Sequence, residues 1–154
     1  MTLLGISQKI AFFRSKIISQ TMTLDELLDF FRFCEQMSNS SKEFFEEFED
    51  VNLIILITIF RNMEKEVLIV LELYSGKLKF KQIDQEFEKF LLENKENFSK
   101  IDIQITTEKL LASFQGATDP WMAMMNGDIK LTGDIQNLLI FEKLFSIFYD
   151  FLDL

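Results

Sequence analysis

The N-terminal segment has the apolar spacing of an amphipathic helix. Its apolar residues recur at steps of three and four, which places them on one helix face: Leu3, Ile6, Ile10, Phe13 and Ile17. Three basic residues, Lys9, Arg14 and Lys16, fall largely off that face. We therefore predict a helix over residues 1–20 that is additional to the main body of the domain.

A second helix is predicted to begin at Thr23. Thr23 and Glu26 have the spacing of a capping box, in which each side chain satisfies the other residue's backbone N–H. An apolar stripe follows: Leu24, Leu27, Leu28, Phe31 and Cys34. Ser38–Ser41 interrupts the stripe, and a second possible box, Ser40 with Glu43, predicts a short acidic helix.

From Val51 the apolar period changes from 3.6 to 2, which indicates β-strands. The predicted strands cover residues 51–60, 66–74, 77–81, 101–105 and 128–132. Asn62–Lys65 is a plausible hairpin loop and Ser75-Gly76 a tight turn, so the first three strands are expected to form an antiparallel meander.

Helical patterns separate and follow the later strands. They cover residues 83–98, Thr107 to Ser113, a segment that starts at Asp119-Pro120, and Ile135 to Leu152. Asp before Pro is the residue order expected at a helix start. The last helix is unusually apolar on several of its sides.

Four of the five strands show one apolar and one polar face. This pattern predicts an α/β fold of the α+β type, with a five-stranded, mostly antiparallel sheet covered on one face by helices. The first strand departs from the pattern, because Ile54, Leu56 and Phe60 fall on the face expected to meet water. Either a helix covers these three residues, the first helix being one candidate, or they form a homodimer contact.

Composition narrows the classes of function. The 154 residues suit a single domain, and 18 of them are Phe, which indicates either a genome biased toward Phe, Ile, Lys and Asn or an apolar cavity. The chain has no histidine and one cysteine, Cys34, which we expect in the core. These counts exclude His-based catalysis, His-ligated metals and an intramolecular disulfide, and they favour a reducing, cytoplasmic setting.

The formal net charge is −9, which argues against a nucleic-acid partner because phosphate binding needs a concentrated basic surface. Residues 1–24 nevertheless carry +3 and no acid, so the first helix is basic on an acidic body. Lys9, Arg14 and Lys16 could dock transiently on anionic lipid headgroups, although the helix could equally pack on the domain. The same segment faintly resembles an organellar presequence. No apolar stretch approaches the length of a membrane span.

The segment from Asp119 to Gly133, DPWMAMMNGDIKLTG, contains the only Pro and the only Trp of the chain and three Met within four residues. Methionine adapts to irregular space, so this composition favours a soft apolar wall over a catalytic centre. The stretch from Ile101 to Phe148 resembles the C-terminal half of the sterol-carrier-protein type 2 domain. The matching residues are Asp119-Pro120, Ala123, Gly127 to Leu131 and Gly133-Asp134.

That resemblance covers about a third of the chain and implies an apolar tunnel beneath the C-terminal helix. Such a tunnel would hold a sterol, a fatty acyl chain or an isoprenoid lipid for transfer or presentation, without chemistry and without a cofactor or metal. The N-terminal half shows no family motif, and the chain ends Phe-Leu-Asp-Leu rather than with a peroxisomal address, which leaves a peroxisomal site unsupported.

The lipid-binding residues expected from this hypothesis are Phe114, Trp121, Met122, Met125, Leu138, Phe141, Glu142, Phe145 and Phe148. Glu142 is expected either in solvent or as a polar anchor for a lipid headgroup. The alternative is an interaction or assembly protein of the same fold, in which aromatic rings fill the tunnel and homodimer or partner contacts carry the function. Enzymatic activity through Asp128 and Asp134 is not expected, because acids near strand ends are usually solvated turn residues.

Overall fold

The computed structural model describes residues 3–84, 99–116, 122, 125–127 and 129–154. Within these residues the helices are α1 Leu3–Ser19, α2 Leu24–Asn39, α3 Lys42–Phe48, α4 Thr107–Phe114 and α5 Ile135–Asp150. The strands are β1 Leu53–Arg61, β2 Glu64–Tyr74, β3 Lys77–Ile83, β4 Ser99–Thr106 and β5 Lys130–Thr132. Most of the helix predicted over residues 83–98, and the predicted helix start at Asp119-Pro120, lie outside the described residues. Ile83 itself ends β3.

The five strands form one sheet in the order β3-β2-β1-β4-β5. The β3–β2, β2–β1 and β4–β5 pairs are antiparallel, whereas the central β1–β4 pair is parallel. The predicted α+β class with a mostly antiparallel, five-stranded sheet is therefore confirmed. The parallel pair is possible because the connection from β3 to β4 is long enough to cross the sheet.

Two tight turns set the register of the meander. Asn62 and Met63 have φ of 53° and 67°, and Ser75 and Gly76 have φ of 50° and 74°. Positive φ at both central residues is the geometry of type I′ turns, which match the twist of the strands they join. The first loop is thus shorter than predicted, with β2 starting at Glu64. A Cβ at Gly76 would come within 2.5 Å of the Phe45 ring, so only glycine fits there.

The capping box predicted at the start of α2 is present. The Thr23 hydroxyl accepts a hydrogen bond from the Glu26 N–H at 3.2 Å, and the Glu26 carboxylate accepts one from the Thr23 N–H at 2.9 Å. The bond from the Thr23 backbone lowers the pKa of Glu26. At α3 the cap is Ser41 rather than the predicted Ser40, whose hydroxyl donates to the Gln36 carbonyl at 3.0 Å.

The main core lies between the helices and one face of the sheet. It contains Cys34, as expected, and burial raises the pKa of that thiol. Phenylalanines from α1 and α2 are among its largest fully or nearly fully buried side chains: Phe13, Phe30, Phe31 and Phe33. Their ring centroids lie 5.3 to 6.3 Å apart in the pairs Phe13–Phe30, Phe13–Phe33 and Phe30–Phe31, so this part of the interior is closely packed.

The opposite face of the sheet is also buried at its centre, which corrects the expectation of a wet face. Ile54 and Leu56 pack with Leu68 and Val70, and these four side chains are at most 3% exposed. The alternating pattern of β2 did not predict this burial. Leu68 and Val70 share a face with the charged Glu72, so that face was expected to meet water. Helix α1 is not the cover, since its Phe13 and Ile17 belong to the main core.

The proposed homodimer contact was built on Ile54, Leu56 and Phe60. Ile54 and Leu56 are buried within the chain itself and Phe60 is partly buried, so these side chains do not form the exposed apolar patch that a dimer contact needs. Among the helices that the structure describes, none has the length and apolar character needed to cross a membrane.

Candidate functional site

A cavity of about 390 Å³ lies beneath α5, against α4 and the β1–β4–β5 end of the sheet. Its described lining residues are mainly apolar: Ile57, Ile103, Ile105, Leu110, Ser113, Phe114, Leu131, Leu138, Phe141, Glu142, Phe145, Ser146 and Tyr149. The location matches the predicted apolar cavity under the C-terminal helix. A space of this kind is suited to an apolar guest.

The sheet supplies the floor of the cavity. Ile57 lies opposite Ile103 in the parallel β1–β4 pair, and Ile103 lies opposite Leu131 in the β4–β5 pair. A row of three apolar side chains therefore crosses three strands. Ile105 extends the floor, since residues two apart in a strand share a face.

Helix α5 supplies the facing wall. Leu138, Phe141, Phe145 and Tyr149 recur at steps of three and four, so they share one helix face, and all four are partly buried. The Phe141 and Phe145 rings contact one another with centroids 4.7 Å apart. Because these large side chains are partly exposed, water contacts their apolar surface. A molecule bound in the cavity would cover that surface.

Polar residues mark the mouth. Glu142 and Ser146 line the cavity yet are exposed, and they lie one helical turn apart on α5. Among the residues that the structure describes, Glu142 has no ion pair or hydrogen-bond partner. Glu142 thus lies in solvent at the edge of the cavity, and its role as a polar anchor for a lipid headgroup stays a prediction.

Tyr149 closes one end of the cavity. Its hydroxyl donates a hydrogen bond of 2.6 Å to the Phe114 carbonyl, and the two rings stack with centroids 5.4 Å apart. Burial raises the pKa of Tyr149 to about 12, so the phenol stays protonated and keeps donating at neutral pH. This contact fixes the C-terminal end of α4 against α5.

Two neighbouring threonines fix the N-terminal end of α4. Thr106 is the N-cap, with its hydroxyl accepting from the Lys109 N–H at 3.2 Å. Thr107, at which the sequence predicted the start of this helix, instead donates to the Glu66 carboxylate at 2.6 Å and so ties α4 to β2. The α4 side chains Leu110 and Phe114 are thereby held against the cavity.

A shallower groove of about 500 Å³ adjoins the cavity, with which it shares Phe114, Ser146 and Tyr149. It extends toward Ile17 and Ile18 of α1. Gln115 spans this junction, because its side-chain oxygen accepts from the Met22 N–H at 2.8 Å while its amide donates to the Leu111 carbonyl at 3.0 Å.

The predicted lipid-binding residues fall into three groups. Phe114, Leu138, Phe141, Glu142 and Phe145 line the cavity. Phe148 does not, because its fully buried side chain packs in the core, and Met122 and Met125 are 53% and 82% exposed and lie outside the lining. Met122 and Met125 are therefore not part of the described cavity wall. Trp121 lies outside the described residues.

Sequence reasoning missed the floor and the polar end of the wall. The alternating pattern correctly placed Ile103 and Ile105 on one face of β4. Their position under α5, however, depends on the pairing of β4 with β1, and these two strands are far apart in the chain. Tyr149 could have been found from the α5 spacing, since it continues the face of Leu138 and Phe145.

The predicted membrane-docking residues lie on α1. Lys9 and Arg14 are exposed, whereas the Lys16 ammonium lies 3.3 Å from the Glu26 carboxylate and 5.6 Å from the Phe12 ring centroid. Phe13 and Ile17 bury α1 against the core, so packing on the domain accounts for the apolar stripe of this helix. Docking of α1 on a membrane surface stays a prediction, and the exposed Lys9 and Arg14 are the residues that would make the contact.

Residues 46–146, more than half of the chain, match the model of a family described as the SCP-2 sterol transfer family. The match starts within α3 and ends within α5, so it leaves α1 and α2 outside. No curated protein matches the sequence significantly.

Several solved structures share the fold. The apo form of sterol carrier protein 2 from Yarrowia lipolytica superimposes with a TM-score of 0.56 at 14% identity, covering 79% of this chain and 88% of that one. A crystal structure of sterol carrier protein 2 gives a TM-score of 0.52 at 16% identity, covering 80% and 93%. The sec-alkyl sulfatase PisA1 gives 0.54 at 19% identity over 81% of this chain, but that match spans 16% of the sulfatase.

Proposed function

Because this chain belongs to the SCP-2 sterol transfer family, whose members bind or transfer lipids, we propose that it binds one lipid in the cavity under α5. The lipid is of the sterol, fatty acyl or isoprenoid type, and the protein transfers it or presents it to another protein in the cytoplasm. The observation that carries this proposal is the apolar cavity of about 390 Å³.

The size and lining of the cavity suit a lipid of modest bulk. Its volume lies toward the lower end of the roughly 300–1,000 Å³ found for ligand pockets. Burying a few hundred Å² of apolar surface contributes on the order of 10 kcal/mol at about 25 cal/mol per Å², before the cost of ordering the ligand. Because this term is not directional, we expect loose selectivity for the tail of the lipid.

Binding is proposed to involve no chemistry. Among the described lining residues the ionisable groups are Glu142, at the mouth, and Tyr149, whose hydroxyl is engaged with the Phe114 carbonyl. A general acid or base needs a partner group within hydrogen-bond reach of a reacting atom. Tyr149 is occupied by its bond to Phe114 and Glu142 is exposed at the mouth, so neither is held inside the cavity against a bound lipid.

The alternative, a protein of this fold with a filled tunnel that acts through partner contacts, is less well supported. Phe141 and Phe145 border open space rather than filling it. Ile135 and Leu139 are 77% and 60% exposed on α5, so a partner contact on this helix would rest on them.

A pair of Trp substitutions on α5 tests the lipid proposal. Leu138→Trp places an indole in the cavity, whereas Leu139→Trp adds the same group to the exposed neighbouring position. With a fluorescent sterol and a fluorescent fatty alcohol as probes, we expect Leu138→Trp to weaken binding about tenfold or more. The Leu139→Trp control should stay within about twofold of the unmodified protein.

Circular dichroism checks that both variants keep their helix content. Failure of the unmodified protein to bind either probe, or equal binding by the two variants, would contradict the proposal. Native mass spectrometry of the protein purified from its own host is a second test, because a tightly held lipid should appear as a mass increment that Leu138→Trp loses.

A further inference from the structure

The charge around the cavity mouth has one sign. Among the described residues that line the cavity, Glu142 carries the one formal charge. Asp150 is the charged residue among those described around the adjoining groove, and it is also an acid. No Lys or Arg is present in either described lining, so an anionic headgroup would find no cation there.

Nearby lysine does not neutralise Glu142. Lys143 follows it directly in the chain, but adjacent helix residues do not face one another. The Lys143 ammonium pairs with the Glu47 carboxylate on α3, which directs it away from the mouth. The net charge of −9 makes the surrounding potential more negative still.

We infer that Glu142 selects lipids whose polar end is uncharged or cationic and donates a hydrogen bond, such as an alcohol, and that it disfavours free fatty acids. The inference rests on the proposed function, because a tail in the cavity brings the polar end of the lipid to Glu142 and Ser146. A hydroxyl there can donate a charge-assisted hydrogen bond to the carboxylate. A fatty-acid carboxylate instead meets a like charge.

Binding of a fatty alcohol and of the fatty acid with the same chain measures this selectivity directly. At a pH where the free acid is ionised and at low salt, we expect the unmodified protein to prefer the alcohol about tenfold. Glu142→Gln, which keeps the shape of the side chain, should reduce the preference to about threefold or less. Glu142→Lys should reverse it.

Asp150→Asn is the matched control, since it removes one negative charge from the same helix and lines the adjoining groove but not the cavity. It should keep the preference within about twofold of that of the unmodified protein, because Asp150 lies about two helical turns from Glu142. Equal binding of acid and alcohol by the unmodified protein, or the same preference in Glu142→Gln, would overturn the inference while leaving lipid binding intact. Binding of neither lipid would contradict the proposed function, and the inference falls with it.

Discussion

The interior under α2 and the interior under α5 are built from the same residue type in two different packing states. Under α2, Phe30, Phe31 and Phe33 are at most 2% exposed. The Phe30 ring lies 5.3 Å from that of Phe13 and 5.4 Å from that of Phe114. Under α5, Phe141 and Phe145 are partly exposed beside a cavity of about 390 Å³. A high phenylalanine content therefore marks neither a solid core nor a hollow by itself.

The difference follows from how each helix is held on the sheet. Helix α2 is bonded to the edge strand β3: the Asn39 amide donates to the Leu78 carbonyl at 2.9 Å and accepts from the Leu78 N–H at 2.8 Å. The Glu35 carboxylate accepts from the Phe80 N–H at 2.6 Å. These bonds draw α2 onto the sheet and also satisfy backbone groups of an edge strand.

In the described residues, the side-chain hydrogen bond and the ion pair of α5 go to other helices instead of to the sheet. Tyr149 bonds to the end of α4, and Lys143 pairs with Glu47 of α3. Neither contact pulls the middle of α5 toward the sheet, where Leu138 and Phe141 border the cavity. The comparison indicates that the hollow is a consequence of where α5 is attached.

Removing one ring from each region gives the largest expected effect. Phe30→Ala should lower the free energy of unfolding by about 3–5 kcal/mol, because it leaves a cavity in a closely packed core. Phe141→Ala should cost about 1 kcal/mol, because that ring already borders open space and is partly solvated. Urea denaturation followed by circular dichroism measures both. Similar losses in the two variants would show that the two regions are equally packed.

The sequence predicted local structure better than packing. The Thr23–Glu26 box and the Ser75-Gly76 turn were located correctly, since each depends on residues that are neighbours in the chain. The burial of Leu68 and Val70 on the second face was missed, because it depends on what lies over the sheet.

The same limit applies to the candidate site. Helical spacing indicated the inward face of α5 but could not separate Phe145, which lines the cavity, from Phe148, which is fully buried in the core. Periodicity gives the direction of a side chain and not the density of atoms around it. Identifying the floor residues Ile57 and Ile103 requires knowledge of the β1–β4 pairing, which no local sequence pattern contains.

Adding volume instead of removing it should give the same order of tolerance, with the region under α2 the more sensitive of the two. Leu27 is fully buried under α2, so Leu27→Phe should lower the free energy of unfolding by about 1–3 kcal/mol through overpacking. Leu138→Phe adds the same atoms beside the cavity and should change stability by less than about 0.5 kcal/mol. Thermal and urea unfolding of the pair measure this. A destabilisation of Leu138→Phe as large as that of Leu27→Phe would indicate that the hollow has no room for an occupant.

The smallest expected effect concerns the contact that holds the end of α5. Tyr149→Phe removes the hydrogen bond to the Phe114 carbonyl and should cost about 1 kcal/mol at neutral pH. In the folded protein the pKa of Tyr149 is raised to about 12 from an ordinary value of 10.0. Its contribution is therefore fully present below pH 10 and is lost as the pH rises through about 12, because the tyrosine of the unfolded chain ionises first and the folded phenol, once ionised, can no longer donate.

The stability difference between the unmodified protein and Tyr149→Phe should accordingly shrink over that alkaline interval. Tyr74→Phe, which alters an exposed tyrosine at the end of β2, is the matched control for general alkaline effects. A difference that stays constant up to pH 12 would mean that Tyr149 titrates alike in the folded and unfolded chains. The hydrogen bond to Phe114 would then contribute little to holding α5, and the comparison with α2 would need a different physical cause.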